Sequence, residues 1–247
     1  MSQIGELVEK ANEEFGKDKC PFCNQNEHPW PKKKKVDINK IRSKPRSLGC
    51  GNLSPKQSRG KYGRARHHMI PVHQCYTKLH RIAAMGQSVG YNINGKQNGI
   101  PLPTVWNKYK ISGKSELVNF GEIKEEDKKN KIRWTAMKKT GAQWHVGNHH
   151  YDMPDKEEQT EDMDDEGELD HEPYDSVVLR KLLKIADKAV SAHLCETNNQ
   201  DKIKKALDGL CKEIKDGLNA FKDNPDNSKP YYVSKVALDY NPTKGDE

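Results

Sequence analysis

Two apolar patterns near the end of the chain constrain its fold more than any other feature. Within each pattern, apolar residues recur three and four positions apart, which places them on one face of an α-helix. The first pattern comprises Leu179, Leu182, Leu183, Ala186, Val190 and Leu194, and the second comprises Ile203, Leu207, Leu210, Ile214, Leu218 and Phe221. The sequence therefore predicts two long helices joined by a turn at 197–200, and a similar pattern predicts a short helix over residues 2–15.

The rest of the chain is poor in apolar residues. Of its 247 residues, 33% are hydrophobic and 32% are charged, so we expect a modest core with long loops and charged faces. Charge is unevenly distributed, because residues 155–172 contain eleven Asp or Glu and one Lys. This segment has a net charge of −10 and the whole chain +7, so the remainder carries +17. Such a basic body favours a polyanionic partner.

Histidines supply the clearest chemical signal. His67 and His68 are adjacent and Pro71 follows them, while His145 and His149 are one helical turn apart. Neutral imidazole is both a metal ligand and a base that works near neutral pH. Consecutive strand residues point to opposite faces, so His67 and His68 can take different tasks, and on a helix His145 and His149 can reach one ion. The alternative is a set of unrelated surface histidines, in a chain that has ten.

Three motifs resemble a known family. Residues 66–71 (RHHMIP), 98–103 (NGIPLP) and 145–149 (HVGNH) occur in this order. Together they resemble the AHH nucleases of the HNH/endonuclease VII superfamily, which occur as toxin domains in bacterial polymorphic toxins and type VI secretion effectors. The resemblance spans about residues 64–151 and implies an α+β fold with a ββα-metal (His-Me finger) core. The chain departs from the family at Arg66, where Ala is expected, and in a long insertion around 107–140.

The resemblance also implies residue roles. His68 resembles the general base, with His67, His145 and His149 as metal ligands; His150 or His171 are alternatives to the last two. Asn98 occupies the position of a central Asn that orients the base or binds phosphate, although it can equally be a turn residue. Arg66 can contact phosphate, and we expect Arg59, Lys61 and Arg64 to bind the nucleic-acid backbone.

The implied function is metal-dependent hydrolysis of phosphodiester bonds, with DNA as the expected substrate, in an antibacterial toxin. The expected catalytic cation is Mg²⁺, although imidazole ligands favour Zn²⁺ or Ni²⁺. Expected partners are DNA, an acidic cognate immunity protein and a secretion-apparatus component. We expect a protein made in the bacterial cytoplasm and delivered without a signal peptide or membrane span. Two alternatives are a zinc-stabilised nucleic-acid-binding module without catalysis and an RNase on the same scaffold.

Six cysteines suggest a second metal site. Cys20 and Cys23 have the spacing of a zinc knuckle, and His28, Cys50 or Cys75 are candidates to complete a structural zinc site. Cys195 and Cys211 fall beside the apolar helix faces and are interpreted as core thiols. The predicted organisation is an N-terminal helix with the zinc-binding segment (1–50), the nuclease core (51–154), an acidic loop (155–172) and a helical region (173–247).

Overall fold

The computed structural model describes residues 3–15, 19–25, 37–50, 63–104, 108–110, 117–145, 172–195 and 201–242. The helices are α1 (Gln3–Glu14), α2 (His80–Ser88), α3 (Glu126–Thr140), α4 (Tyr174–Ser191), α5 (Asp201–Ala220) and α6 (Lys235–Leu238). The strands are β1 (Gly63–His68), β2 (Gly99–Thr104), β3 (Lys108–Lys110) and β4 (Leu117–Asn119). β1 pairs with β2, and β3 pairs with β4 antiparallel, with Tyr109 opposite Val118. The prediction of a mixed α and β fold is confirmed.

The chain forms two compact units, each built from separate segments. Unit 1 comprises Met1–Gly49, His68–Gly99 and Asp175–Glu213, and unit 2 comprises Cys50–His67, Ile100–Tyr174 and Ile214–Glu247. The sequence-based division places His67 and His68 together in the segment 51–154. The structure places His67 in unit 2 and His68 in unit 1.

The three helices predicted from apolar spacing are present as α1, α4 and α5, with ends within a few residues of those expected. In α1 only part of the predicted apolar face is covered: Ile4 and Val8 are buried, whereas Leu7 is 44% exposed. α1 contacts α2 in unit 1 through Asn12, whose side chain accepts from the His80 N–H at 3.0 Å and donates to the Lys78 carbonyl at 2.9 Å. A side chain from α1 thus caps the start of α2, which has no cap of its own.

The segment from Val72 to Ser88 is not one continuous helix. Val72–Tyr76 forms a π-helical turn, residues 77–79 break the helix, and α2 begins at His80. The packing of Tyr76 accounts for a glycine in α2, because a Cβ on Gly86 would lie 2.0 Å from the Tyr76 hydroxyl. The two helical parts of this segment are therefore in contact through the aromatic ring of Tyr76.

Unit 2 contains a helix that the sequence did not predict. α3 packs on α6, and its residues Ala136 and Met137 share a core cluster with Trp144, Phe221, Tyr232 and Ala237. α3 ends at Gly141, which has φ 62° and donates its N–H to the Met137 carbonyl. Residues 231–240 form a packed tail that contains the short helix α6; Tyr231, Tyr232 and Val233 are buried. Within the described residues, no helix is both long and apolar enough to cross a membrane.

Candidate functional site

Asn98 holds the segment that follows the histidine pair. Its side-chain oxygen accepts from the Ile70 N–H at 2.7 Å, and its amide nitrogen donates to the carbonyls of Ile70 (3.1 Å) and Ile93 (2.9 Å). The Asn98 backbone carbonyl accepts from the Met69 N–H. Residues 69–70 are therefore fixed by Asn98 in unit 1, directly after His68.

A fourth contact completes the hydrogen bonds of Asn98. The Cys211 thiol lies 3.3 Å from the Asn98 oxygen and 3.4 Å from the Tyr91 hydroxyl. Burial raises the pKa of Cys211 to about 12, so it stays a neutral thiol. The Asn98 side chain is fully buried, with both donors and both acceptor positions in use. The side chain of Asn98 thus has a structural role in holding residues 69–70, and its predicted role with the base or with phosphate stays a prediction. Cys211 is the buried thiol that the sequence predicted.

His68, the predicted base, has one ring nitrogen fixed by an asparagine. His68 Nε2 lies 3.0 Å from Asn94 Oδ1, which also accepts from the Lys44 N–H. Asn94 Nδ2 donates to the Arg42 carbonyl, so the orientation of the amide is determined by its backbone partners. Since Oδ1 can only accept, His68 Nε2 must carry the proton. The neutral ring therefore has its lone pair on Nδ1, the nitrogen with which a general base would act.

Burial keeps the His68 ring neutral. The ring is 8% exposed, and this desolvation lowers its pKa below the ordinary value of 6.5; the hydrogen bond to Asn94 opposes the shift and the charge of His73 adds to it. A histidine with a lowered pKa is unprotonated at neutral pH and can accept a proton.

The His67 ring lies among aromatic side chains of unit 2. Its centroid is 5.3 Å from that of His145 and 5.5 Å from that of Tyr174, both in edge-on geometry. His67 Nε2 is 3.3 Å from the Tyr174 hydroxyl. Two predicted ligands from distant parts of the chain are thus neighbours, and Tyr174 is a contact that the sequence did not suggest.

His145 is positioned by β2 and by the C-terminal tail. Its N–H donates to the Pro103 carbonyl at 2.9 Å, and its carbonyl accepts from the Thr104 hydroxyl at 3.2 Å. Just before it, the Gln143 side chain bonds the Tyr231 carbonyl and the Val233 N–H, both at 2.8 Å. His145 itself is not helical, contrary to the expectation that it lies on a helix face.

Several predicted residues lie outside the described part of the chain. These are Arg59, Lys61, His149, His150, His171 and the possible zinc ligand His28, as well as nearly all of the acidic segment. Arg64 and Arg66 are half-buried on β1. Because strand side chains alternate, these two arginines share one face of β1 and His67 lies on the other. Their predicted contact with phosphate stays a prediction.

Three cysteines of unit 1 form a cluster that can hold a metal ion. The sulfur atoms of Cys20, Cys23 and Cys195 lie within 4.8 Å of one another. Cys20 and Cys195 are buried, and Cys23 is half-buried. Cys195 is buried, as interpreted from sequence, and its place in this cluster is an addition that the sequence did not suggest. Among the described cysteines, Cys50 and Cys75 are not members of the cluster.

Comparison with models of known protein families, with characterised proteins and with solved structures finds no match to this chain.

α3 presents a basic surface that sequence analysis missed. Lysines at spacings of three, seven and eight residues fall on one side of a helix, and those that are exposed on α3 include Lys128, Lys131, Lys138 and Lys139. Lys128 forms an ion pair with Glu125 at 2.9 Å. α3 has no regular apolar face, which is why it was not predicted; the regular spacing of its lysines is the signal that could have identified it. Its C-terminal end leads through Trp144 to His145.

Proposed function

We propose that this protein is a metal-dependent endonuclease that hydrolyses phosphodiester bonds in DNA. The observation that carries the proposal is the proximity of the His67 and His145 rings, two residues that the resemblance to AHH nucleases names as ligands of one ion. The paired strands β1 and β2 support the two-stranded half of the implied ββα-metal core.

The histidines fit a divalent cation that accepts imidazole. Metal–nitrogen bonds of about 2.0–2.1 Å let two neighbouring rings reach one ion, and Tyr174 beside His67 Nε2 is a partner of the kind that orients a metal-bound histidine. We propose His67, His145 and His149 as the ligands. Imidazole favours Zn²⁺ or Ni²⁺, whereas Mg²⁺ prefers oxygen ligands and would be held weakly. When bound, such a cation stabilises negative charge on the phosphoryl and leaving oxygens.

His68 supplies the base in this proposal. Its neutral ring, held through Nε2 by Asn94, takes a proton at Nδ1 from the attacking water. The water oxygen forms the new bond to phosphorus, and the bond to the leaving nucleotide oxygen breaks. The leaving oxygen takes up a proton from solvent, and the products are a terminal phosphate and a hydroxyl, while His68 releases its proton to solvent. Asn98 acts indirectly, because it fixes the backbone of residues 69–70, which follow His68 in the chain.

Plasmid cleavage tests the proposal. The wild type is expected to nick and linearise plasmid DNA when a divalent cation is added, and His68→Ala and His67→Ala are expected to lose cleavage while still binding DNA. His80→Ala is the matched control, because His80 is an exposed histidine of unit 1 outside the proposed site. Full activity of His68→Ala would remove His68 as the base. The same assay on RNA decides between a DNase and an RNase.

The biological role proposed from the resemblance is that of an antibacterial toxin, with an acidic immunity protein and a secretion-apparatus component as partners. Induced expression in a bacterial host is expected to arrest growth, and the His68→Ala variant is expected to be harmless. Equal toxicity of the two would separate toxicity from the proposed chemistry.

The second candidate function is a zinc-stabilised nucleic-acid-binding module without catalysis. The three-cysteine cluster favours it, since a metal held there would stabilise the fold and the basic residues could bind nucleic acid without any catalytic group. DNA binding without cleavage under every cation tested would support this alternative over the nuclease.

A further inference from the structure

The segment around Cys20 has the local geometry of a metal-binding knuckle. The backbone N–H groups of Phe22 and Cys23 hydrogen-bond to the Cys20 sulfur. The turn is closed by the Asn24 N–H to the Cys20 carbonyl at 2.8 Å and the Cys20 N–H to the Gln25 carbonyl at 3.1 Å. Asn24 has φ 60°, in the left-handed region that Asn tolerates better than most residues. This turn directs two sulfur atoms to the same side and supplies donors that favour a thiolate.

The third sulfur is placed by the end of α4. The Leu194 N–H donates to the Ala189 carbonyl and the His193 N–H to the Val190 carbonyl, and His193 has φ 47°. This is the hydrogen-bond pattern of a Schellman motif, which turns the chain sharply after a helix. Leu194 packs into the core, 6% exposed, and Cys195 follows it toward the knuckle. Two unrelated backbone motifs thus bring three thiols together.

Two of the three thiols are buried, and a buried thiolate is unfavourable without a cation. Desolvation raises the pKa of Cys20 and of Cys195, the latter to about 11, and the neighbouring Cys23 contributes to both increases. A divalent cation reverses this, because bound thiols are deprotonated outright and the positive charge offsets their mutual repulsion.

We propose that Cys20, Cys23 and Cys195 bind one zinc ion, which ties residues 19–25 to the C-terminal end of α4 within unit 1. Zinc is the ion that a thiolate set of this kind selects, in tetrahedral coordination with one position left for a further donor. The site is distinct from the histidines of the proposed nuclease and does not depend on that function. Its role is structural, because it joins residues 19–25 to the end of α4 within unit 1.

Metal analysis of the full-length protein, purified without chelator, tests the assignment. The wild type is expected to retain one zinc per chain after a wash that removes weakly held ions. Cys20→Ser and Cys195→Ser are expected to lose it, whereas Cys50→Ser, the matched control predicted as a ligand from sequence alone, retains it. Zinc kept by Cys195→Ser, or lost by Cys50→Ser, would overturn the proposal.

Cobalt substitution of the wild type gives a readout that does not depend on folding of the variants. Co²⁺ bound to thiolates gives intense sulfur-to-metal charge-transfer absorption, and the intensity is expected to correspond to three thiolates. Absence of this band, or a free-thiol count showing an oxidised pair among the three cysteines, would refute the site. His67→Ala should leave the cobalt spectrum unchanged, so failure of the nuclease proposal and failure of the zinc proposal are distinguishable.

Discussion

Replacing Asn98 with alanine tests the central support of the candidate site. The substitution removes a fully buried side chain and with it the bonds to the Ile70 N–H, the Ile70 carbonyl and the Ile93 carbonyl. Each of these backbone groups is left without its partner in a region that water does not reach. The substitution retains the bond from the Met69 N–H to the Asn98 backbone carbonyl. It therefore tests the hydrogen bonds of the Asn98 side chain and not this backbone bond.

The expected loss of stability is large. A buried group that loses its partner costs about 1–3 kcal/mol. With three groups affected and partial relaxation of the site, we expect the free energy of unfolding to fall by about 3–5 kcal/mol. This is a substantial share of the ~5–15 kcal/mol that stabilises an ordinary domain.

Urea denaturation followed by circular dichroism measures this change. Gln97→Ala is the matched control, because Gln97 is also an amide and makes one exposed bond, to the Asn92 carbonyl at 2.9 Å; it is expected to cost less than about 0.5 kcal/mol. If Asn98→Ala and Gln97→Ala differed by less than about 1 kcal/mol, the argument that Asn98 holds residues 69–70 would be refuted.

Three further predictions follow from the described contacts. Because burial lowers the pKa of His68 below its ordinary value of 6.5, the acidic limb of the cleavage rate, where the ring is protonated, is expected to have its midpoint below pH 6.5; a midpoint above pH 6.5 would contradict this. Gly86→Ala is expected to destabilise the protein by about 1–3 kcal/mol, since its Cβ would meet the Tyr76 hydroxyl. Gly209→Ala, with nothing within 4 Å of its Cβ, is expected to stabilise helix α5 by up to about 1 kcal/mol. Equal changes in the thermal unfolding temperature of the two variants would refute this difference. Changing Lys131, Lys138 and Lys139 to Gln is expected to weaken DNA binding. The slope of log K against log salt concentration is expected to become shallower by about 0.9 per lost phosphate contact. Fluorescence anisotropy titration measures both, and the same change at Lys202, Lys204 and Lys205 on α5 is the control.

Helices with a regular apolar face were predictable from sequence, and those formed by other means were not. α4 and α5 repeat apolar residues over many turns, so their positions followed from periodicity alone. α3 has only a few apolar contacts, around Met137, and its lysines mark the opposite side. The close contact between Tyr76 and Gly86 joins two parts of an interrupted helical segment. No local pattern of residues predicts such a contact.

The candidate sites show the same division. The motifs named His67 and His145 because their residue types and order carry the resemblance. Tyr174 and Asn94 were not named, because a single tyrosine or asparagine has no distinguishing spacing and becomes relevant only when the chain folds. Cys195 was missed for this reason too: it has no second cysteine nearby in sequence, and its partners are brought to it by the end of α4.

The hydrogen bonds of the Gln143 side chain to residues 231–233 have a consequence for folding during translation. Ser234 adds a further bond, from its hydroxyl to the Trp144 carbonyl at 2.8 Å, so the backbone just before His145 is held by a stretch made almost ninety residues later. While the polypeptide is emerging from the ribosome, that stretch does not yet exist. The surroundings of His145 can be completed only when translation has passed residue 234, and a prematurely terminated product would leave the ribosome without them.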